Sequence, residues 1–337
     1  MRKTKSTPSR KMEADAFSRM GVAHLICQDY VSAGHTAGKA FAFLSDGCSG
    51  ADEDGRVPDV ASGFPYTDWG ARILVSLARK RLGILSEGCF PEASLALEMA
   101  TLCRTLGLPE AALDATLFGV VETAAGNLVV HRTADGVYAT VDVEGRIFYE
   151  SISYARGMPR YLNYLLSSQR HDQLLAPRGK PDDLLAGTRE VTSNTWFPDT
   201  GWGPQLLRLE TFGSHSVFHR TNYLLTSESE DGSLSAAIKV CAVLSDGVES
   251  FVDRDGSPVP LETVLPVLLS FKNHHGRFVV RRCKKFLDRT CAERGWKHQD
   301  DFSMAAVALT GAESRGQRAE VSEAGAEGSG AERGETP

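Results

Sequence analysis

Residues Phe41-Ala-Phe-Leu-Ser-Asp-Gly-Cys-Ser-Gly50 set the architecture that we predict for this chain. The run at 41–44 is short and apolar, which is typical of a buried strand. Asp46-Gly47 follows this run after one serine and favours a sharp turn. A carboxylate at the end of a buried strand projects from a rigid backbone, and hard cations prefer carboxylate ligands. The segment therefore predicts a strand that ends in a candidate metal ligand.

The same arrangement occurs a second time, in Cys241-Ala-Val-Leu-Ser-Asp-Gly-Val248. Leu-Ser-Asp-Gly is identical in both copies, and an apolar run precedes it each time. Asp-Gly turns also end ordinary strands, so one copy alone does not distinguish a metal site from a plain turn. A third acidic site, Asp300-Asp301, opens another apolar strand at 302–309. Carboxylates at three strand ends favour a shared metal centre.

Composition and charge limit the classes of function. The chain has 337 residues, 42% hydrophobic and 24% charged, which suits a globular protein with a substantial core. A formal net charge of -6 argues against a general nucleic-acid binder, so we expect no nucleic-acid partner. We find neither an apolar signal segment nor a run of about 20 apolar residues, so we expect no membrane partner. Seven scattered cysteines without a Cys-x-x-Cys pair argue against zinc and disulfide frameworks and favour a cytoplasmic location.

The pattern along the first half of the chain predicts an α+β fold. Residues 1–18 are polar and basic, and we interpret them as a flexible leader. Residues 21–30 and 39–44 form a candidate hairpin, which would bring Asp29 close to Asp46. Helical spacing follows Thr67 and returns in a second helix at 92–106. Short strands separated by turns then predict an antiparallel meander over 115–123, 127–132, 137–141 and 146–149.

The second half contains the segment with the weakest pattern. Residues 151–215 alternate helical fragments with segments rich in proline, glycine and aspartate, and we interpret them as an insertion or flap. Residues 311–337 are rich in glutamate, glycine, alanine and serine, which predicts a disordered tail. Between these segments, strands are predicted at 219–226 and 236–244, and helices at 261–269 and 278–291.

The acidic motifs come in a defined order: Gln28-Asp29, Ser45-Asp46-Gly47, Asp135-Gly136, Ser245-Asp246-Gly247 and Asp300-Asp301-Phe-Ser303. With this series the chain resembles the metal-dependent serine/threonine phosphatases of the type 2C family, particularly their bacterial branch. The resemblance implies that 19–310 is one catalytic domain. It also implies a four-layer α-β-β-α sandwich, in which two antiparallel sheets lie between outer helices.

The resemblance implies a role for each acidic residue. Asp46 would bridge two divalent ions, and the carbonyl of Gly47 would help to hold the second. Asp246 and Asp300 would complete the ligands of the first ion. Asp29 would act near the second ion through water.

A third, weaker ion is also implied by the resemblance, with Asp135 and Asp246 as its ligands. Carboxylates, a backbone carbonyl and waters suit Mg²⁺ or Mn²⁺ rather than zinc. The arginine with which the family binds phosphate has no single match in this chain. Arg19 is one candidate for that role, and His24 is another.

The resemblance implies hydrolysis of phosphoserine or phosphothreonine by a water that the two ions activate, with Asp46 and Asp29 as catalytic residues. The partner would be a phosphorylated protein, together with a cognate serine/threonine kinase. The alternative is a catalytically inactive phosphatase-like module that binds phosphoproteins or a regulatory partner. Cys48 stands where many relatives carry histidine, which favours the alternative, whereas the full set of aspartates favours the enzyme.

Overall fold

Two antiparallel sheets form the inner layers of the structure. The computed structural model describes residues 11–48, 68–87, 92–108, 110–154, 159–166, 188–210, 219–223 and 238–310. The larger sheet has the order β1-β15-β12-β6-β7-β8-β10, with β9 beside β8, and the smaller has the order β11-β5-β4-β3-β2. In chain order the strands of the described ranges are β1 (Lys11–Arg19), β2 (Tyr30–Thr36), β3 (Lys39–Ser45), β4 (Leu117–Glu122), β5 (Leu128–Thr133), β6 (Gly136–Asp142), β7 (Ile147–Tyr154), β8 (Arg189–Phe197), β9 (Gly201–Trp202), β10 (Leu206–Glu210), β11 (His219–Tyr223), β12 (Ile238–Leu244), β13 (Phe251–Val252), β14 (Lys297–His298) and β15 (Phe302–Thr310).

Helices cover the outer face of each sheet. The helices on the smaller sheet are α1 (Trp69–Lys80), α2 (Leu82–Ser86) and α3 (Glu92–Thr105). The helices on the larger sheet are α4 (Leu261–Leu268) and α5 (Phe278–Lys285). Helix α5 continues through a π-helical turn (Phe286–Cys291) into α6 (Ala292–Arg294). The layers are therefore α-β-β-α, and the predicted α+β sandwich is confirmed. None of the helices in the described ranges is both long and apolar enough to cross a membrane.

Three large hydrophobic clusters fill the three interfaces between these layers. In β3, Phe41 and Phe43 pack against α1 and α3, whereas Ala42 and Leu44 pack against the other sheet. A strand that is buried on both faces needs apolar side chains at consecutive positions, which explains the continuous apolar run that precedes Asp46. β15 is buried along its whole length in the same way.

The prediction of a flexible leader was wrong for residues 11–18, because they form most of strand β1. β1 pairs with β15 along its full length, at the edge of the larger sheet. Ala14 and Ala16 pack into the cluster between the sheets. An edge strand with small alanines on one face and charges on the other carries little apolar signal, which is why the sequence did not reveal it. Residues 1–10 lie outside the described residues.

The predicted meander was wrong as a single unit, because its four strands divide between the two sheets. β4 and β5 pair in the smaller sheet, and β6 and β7 pair in the larger one. The chain crosses between the sheets at Ala134 and Gly136, whose φ angles of 65° and 137° are positive. Periodicity predicts a strand but not the sheet that it joins. Asp135 lies at this crossing, between two residues with unusual backbone angles.

Part of the predicted insertion at 151–215 belongs to the larger sheet, which β8, β9 and β10 extend. A 3-10 helix at Leu162–Leu165 also packs into the fold: Leu162 joins the cluster under α1 and α3, and Asn163 Nδ2 donates to Asp114 Oδ1 (2.6 Å). These residues are integral to the domain, which corrects their interpretation as an insertion or flap. The other parts of that interpretation and the predicted tail lie outside the described residues: 155–158, 167–187, 211–215 and 311–337.

Candidate metal centre

Five of the predicted site residues lie next to strand ends and meet in one place. Asp46 follows β3, Asp246 follows β12, and Asp300 comes shortly before β15. Asp29 directly precedes β2, and Asp135 joins β5 to β6. The negative charges of Asp29, Asp246, Asp135 and Asp300 all act on the carboxyl group of Asp46. The structure therefore brings together carboxylates that are far apart in the chain.

Backbone hydrogen bonds fix Asp46 at the end of β3. Asp46 N donates to Thr116 Oγ1 (2.9 Å), and Thr116 N donates to the Asp46 carbonyl oxygen (2.8 Å). Gly47 N donates to the carbonyl oxygen of Gln28 (3.3 Å). This last bond ties the turn after β3 to the segment before β2, and Asp29 is thereby held close to Asp46.

Two buried serines hold the other pair of strand ends together. Ser245 N donates to the Ser303 carbonyl oxygen (3.1 Å), and Ser303 N donates to Ser245 Oγ (3.0 Å). Ser245 directly precedes Asp246 in the chain, and Ser303 follows Asp300 by three positions. The serine of the second Leu-Ser-Asp-Gly copy therefore fixes the end of β12 against the start of β15.

Asp301 has a structural role that differs from that of Asp300. Asp301 is 1% exposed, and its Oδ1 accepts a hydrogen bond from Gly21 N (2.7 Å). Its Oδ2 accepts one from Gln28 N (2.5 Å) and lies 3.0 Å from His24 Nδ1. His24 Nε2 lies 3.3 Å from Asp300 Oδ1. Asp301 therefore anchors the segment before β2. The sequence did not indicate that the two members of the acidic pair have different roles.

Gly247 allows the turn after β12 to pass close to Asp301. A Cβ atom at Gly247 would lie 1.8 Å from the Asp301 carbonyl oxygen, which is backbone and has little room to move. We predict that Gly247→Ala lowers the free energy of unfolding by about 1–3 kcal/mol or more, as overpacking does in cores. Urea denaturation followed by circular dichroism measures this. Gly83→Ala is the matched control, because a Cβ there meets nothing within 4 Å. Equal stability of both variants and the parent would contradict the close approach.

Burial raises the pKa of four carboxyl groups in this cluster, those of Asp29, Asp46, Asp135 and Asp246. It raises the pKa of Asp29 to about 8. Burial, followed by the charge of Asp246, raises the pKa of Asp135 to about 8. Burial and then the charge of Asp300 raise the pKa of Asp246, and burial and then the charge of Asp29 raise that of Asp46 well above its ordinary value. The cluster therefore resists ionisation unless positive charge is supplied.

The oxygen atoms of the cluster fit hard cations. Neither carboxylate oxygen of Asp29 makes a hydrogen bond of good geometry to the described residues, and the same is true of Asp246 Oδ1. Leaving a buried polar atom without a partner costs about 1–3 kcal/mol, so such atoms are rare in folded proteins. An ion that takes carboxylate ligands would satisfy them. The donor set consists of carboxylates and matches Mg²⁺ or Mn²⁺ rather than zinc.

One tight group of possible ligand atoms lies beside the aspartates around Asp46. In the described ranges, one group of three possible ligand atoms lies within 4.8 Å of one another, and it belongs to His24, Asp300 and Asp301. The carboxylates around Asp46 form no group that tight. The contribution of the Gly47 carbonyl stays a prediction.

The two candidates for phosphate binding lie in different places. Arg19 Nη1 is 2.8 Å from Asp288 Oδ1, in an exposed ion pair with the π-helical turn that covers the larger sheet. His24 lies between Asp300 and Asp301. Although burial opposes protonation of His24, the hydrogen bond and charge of Asp301 prevail and raise its pKa. The structure therefore brings His24, and not Arg19, to the aspartate cluster.

Two further side chains adjoin the cluster and were missed in the sequence. Tyr161 is buried, and burial followed by the charges of Cys48 and Asp135 raises its pKa well above the ordinary value. The charge of Glu249 also acts on Asp135. Glu249 follows Asp246 by three positions in a 3-10 helix, where such residues lie on the same side, and this spacing could have revealed it. Tyr161 lies where the sequence has no clear periodicity.

Comparisons with known proteins find similarity at the level of the fold. No family model matches the sequence, and neither does any curated protein. Several similar solved structures are bacterial phosphatases by name. PppA, a regulatory component of the type VI secretion system of Pseudomonas aeruginosa, is 14% identical, with a TM-score of 0.43 over 89% of this chain and 98% of that chain.

Two further solved structures are phosphatases by name. The serine/threonine phosphatase PstP/Ppp of Mycobacterium tuberculosis is 13% identical, with a TM-score of 0.41 over 88% of this chain and 98% of that one. The PP2C phosphatase domain of SpoIIE from Bacillus subtilis, with a fragment of its regulatory domain, is 10% identical, with a TM-score of 0.42 over 90% and 65% of the two chains. At these identities the likeness concerns the fold alone, so the chemistry must be argued from the residues of this chain.

Proposed function

We propose that this chain is a metal-dependent serine/threonine protein phosphatase. The observation that carries the proposal is the meeting of five carboxylates at the ends of strands from both sheets, where their charges act on Asp46. Like charges repel one another more strongly when burial lowers the dielectric constant around them. The oxygens of Asp29 and Asp246 that make no hydrogen bond of good geometry to the described residues also support a cation site. Bound cations would offset the repulsion between the carboxylates and would serve as partners for these oxygens.

Each carboxylate has a separate task in the proposed site. Asp46 would be a ligand of two ions, and the Gly47 carbonyl would help to hold the second. Asp246 and Asp300 would complete the ligands of the first ion. Bound Mg²⁺ or Mn²⁺ ions lower the pKa of water and neutralise the charge of the phosphoryl oxygens. Asp29 orients the attacking water, since both of its oxygens are available to accept hydrogen bonds from it.

Asp135 and His24 occupy supporting positions in this proposal. The charge of Asp246 acts on the carboxyl group of Asp135. Asp135 is therefore suited to hold a third and weaker ion together with Asp246. His24 is held against Asp301 through Nδ1 and is the candidate contact to the substrate phosphate. The proposed substrate is a phosphorylated serine or threonine of another protein, which a cognate kinase would produce in the cytoplasm.

Phosphate release tests the proposal directly. With Mn²⁺ or Mg²⁺ present, we expect the full-length chain to hydrolyse p-nitrophenyl phosphate and a phosphoserine peptide, and we expect EDTA to stop both reactions. A phosphotyrosine peptide of the same sequence is the specificity control and should release much less phosphate. Absence of metal-dependent release from every substrate would contradict the enzymatic function.

The alternative function is an inactive module that binds a phosphoprotein through the same cluster. The engagement of Arg19 with Asp288 favours it, because that arginine is then not available to the phosphate. Calorimetry with a phosphoserine peptide and Mn²⁺ separates the two functions. The module binds the peptide without releasing phosphate, whereas the enzyme releases it.

A further inference from the structure

A basic cavity lies on the outer side of the larger sheet, beside α5. Its volume is about 250 Å³, and the cationic residues of its lining are Lys272, Arg281, Arg282 and Lys285. Pockets that hold a whole drug-sized ligand measure about 300–1,000 Å³, so this cavity suits a single small group. It shares no residue with the aspartate cluster.

The guanidinium group of Arg281 is held in place by neutral acceptors. Its Nη2 donates to Asn273 Oδ1 (2.8 Å) and to the carbonyl oxygen of His275 (2.8 Å). These bonds fix the direction of the group without cancelling its charge. An arginine that is already ordered loses less conformational entropy when it binds a ligand.

Arg282 is fixed in a similar way on the other side of the cavity. Its Nε donates to the Leu268 carbonyl oxygen (3.2 Å), and its Nη2 donates to Ser270 Oγ. Arg282 is partly buried, and burial lowers its pKa from the ordinary value. A cation that is partly removed from water and has no counter-charge is stabilised by a nearby anion.

Within the described ranges, no acidic residue lines the cavity. Among the described residues, none of its four cations forms an ion pair, in contrast to Arg289, whose Nε lies 2.9 Å from Glu293 Oε1. The carboxylate of Asp15 at the start of α5 accepts a hydrogen bond from Val280 N (3.0 Å), and the cation that acts on it is Arg277. In the part of the chain that the structure describes, four cations around one small cavity therefore have no matching negative charge.

We propose that this cavity is a second, non-catalytic site that binds the phosphate group of a phosphate monoester. A planar guanidinium donates paired hydrogen bonds to phosphate oxygens, and lysines add charge without strict geometry. Phe271 and Phe278, whose ring centroids are 5.2 Å apart, form an apolar wall that limits the access of water. The monoester is either a phosphorylated side chain of a protein or a small phosphorylated compound.

Isothermal titration calorimetry of the full-length chain in EDTA tests this site. In EDTA the aspartate cluster holds no metal ion that could bind the phosphate of the probe, so the test is independent of the proposed hydrolysis. The probes are phosphoserine, a phosphoserine peptide and the same peptide without phosphate. We expect Arg281→Gln to weaken phosphoserine binding by about tenfold or more, since a hydrogen bond between charged groups contributes about 1.5–3 kcal/mol.

The control variant is Lys284→Gln, which removes an equal charge from the exposed side of the same helix, outside the cavity lining. It should bind phosphoserine as the parent does. Lys285→Gln is a second test variant at an exposed position, and thermal unfolding checks that each variant folds. Tighter binding of the phosphopeptide than of phosphoserine indicates a protein ligand, and equal binding indicates a small phosphorylated compound.

The proposal is overturned if phosphoserine does not bind, or if Arg281→Gln and Lys284→Gln have the same affinity. It is also overturned if the peptide without phosphate binds as well as the phosphopeptide. Loss of hydrolysis in the aspartate variants would leave it unaffected, because these measurements use no metal ion.

Discussion

Asp46→Asn is expected to abolish metal-dependent phosphate release almost completely. Asp46 is the carboxylate on which the charges of all the other cluster members act, so its replacement removes a ligand shared by both proposed ions. The neutral amide also adds N–H donors where the cations need acceptors. A loss of about 4 kcal/mol in transition-state stabilisation corresponds to about a thousandfold lower rate. Steady-state hydrolysis of a phosphoserine peptide with saturating Mn²⁺ measures it.

The control for this variant is Asp199→Asn, at the exposed turn between β8 and β9. It makes the same chemical change away from the cluster and should keep the parental rate. Asp46→Asn should remain folded, because its backbone bonds to Thr116 do not involve the carboxylate. A folded Asp46→Asn protein with more than about a tenth of the parental rate would contradict the bridging role, since that is a loss of only about 1.4 kcal/mol.

The strand ends of the candidate site could be predicted because a local pattern encodes them. A strand buried on both faces requires consecutive apolar residues, and the polar residue after it marks where the strand leaves the core. This is why Leu-Ser-Asp-Gly located Asp46 and Asp246. The hairpin was predicted with 21–30 as the partner of 39–44, but the strand that pairs with β3 is β2 at 30–36, and Asp29 lies directly before it. The backbone of each strand fixes the direction of the carboxylate that follows it.

The features that sequence reasoning missed depend on tertiary contacts. Whether β6 pairs with β5 depends on the crossing at Ala134 and Gly136, and periodicity carries no information about it. The choice between Arg19 and His24 depends on Asp288 and Asp301, which are distant in sequence from both candidates. In each case the deciding partner comes from another part of the chain, so no local pattern reports it.

The metal-free protein is expected to lose stability as the pH rises, and Mg²⁺ or Mn²⁺ is expected to reverse this loss. The pKa values of Asp29 and Asp135 are raised from 3.8 to about 8 in the folded state. Between these values the folded protein holds protons that the unfolded chain has released, so its free energy of unfolding falls with rising pH. The raised pKa of His24 acts in the same direction, because its stabilising charge is lost as the pH rises through the folded value.

The size of this effect follows from the proton count. A total pKa shift of only two units changes the free energy of unfolding by about 2.7 kcal/mol. Each kcal/mol moves the melting temperature of a large domain by about 2–4 °C. Thermal unfolding in EDTA should therefore show a melting temperature lower by several degrees at about pH 8 than at about pH 5. Mn²⁺ competes with protons for the same oxygens, so it should stabilise the protein more at the higher pH.

Asp29→Asn removes one of the groups with a raised pKa and should flatten the dependence of the melting temperature on pH in EDTA, while Asp199→Asn should leave this dependence unchanged. A melting temperature that rises with pH in EDTA would mean that the carboxylates are not crowded together, and the cation site would lose its physical basis.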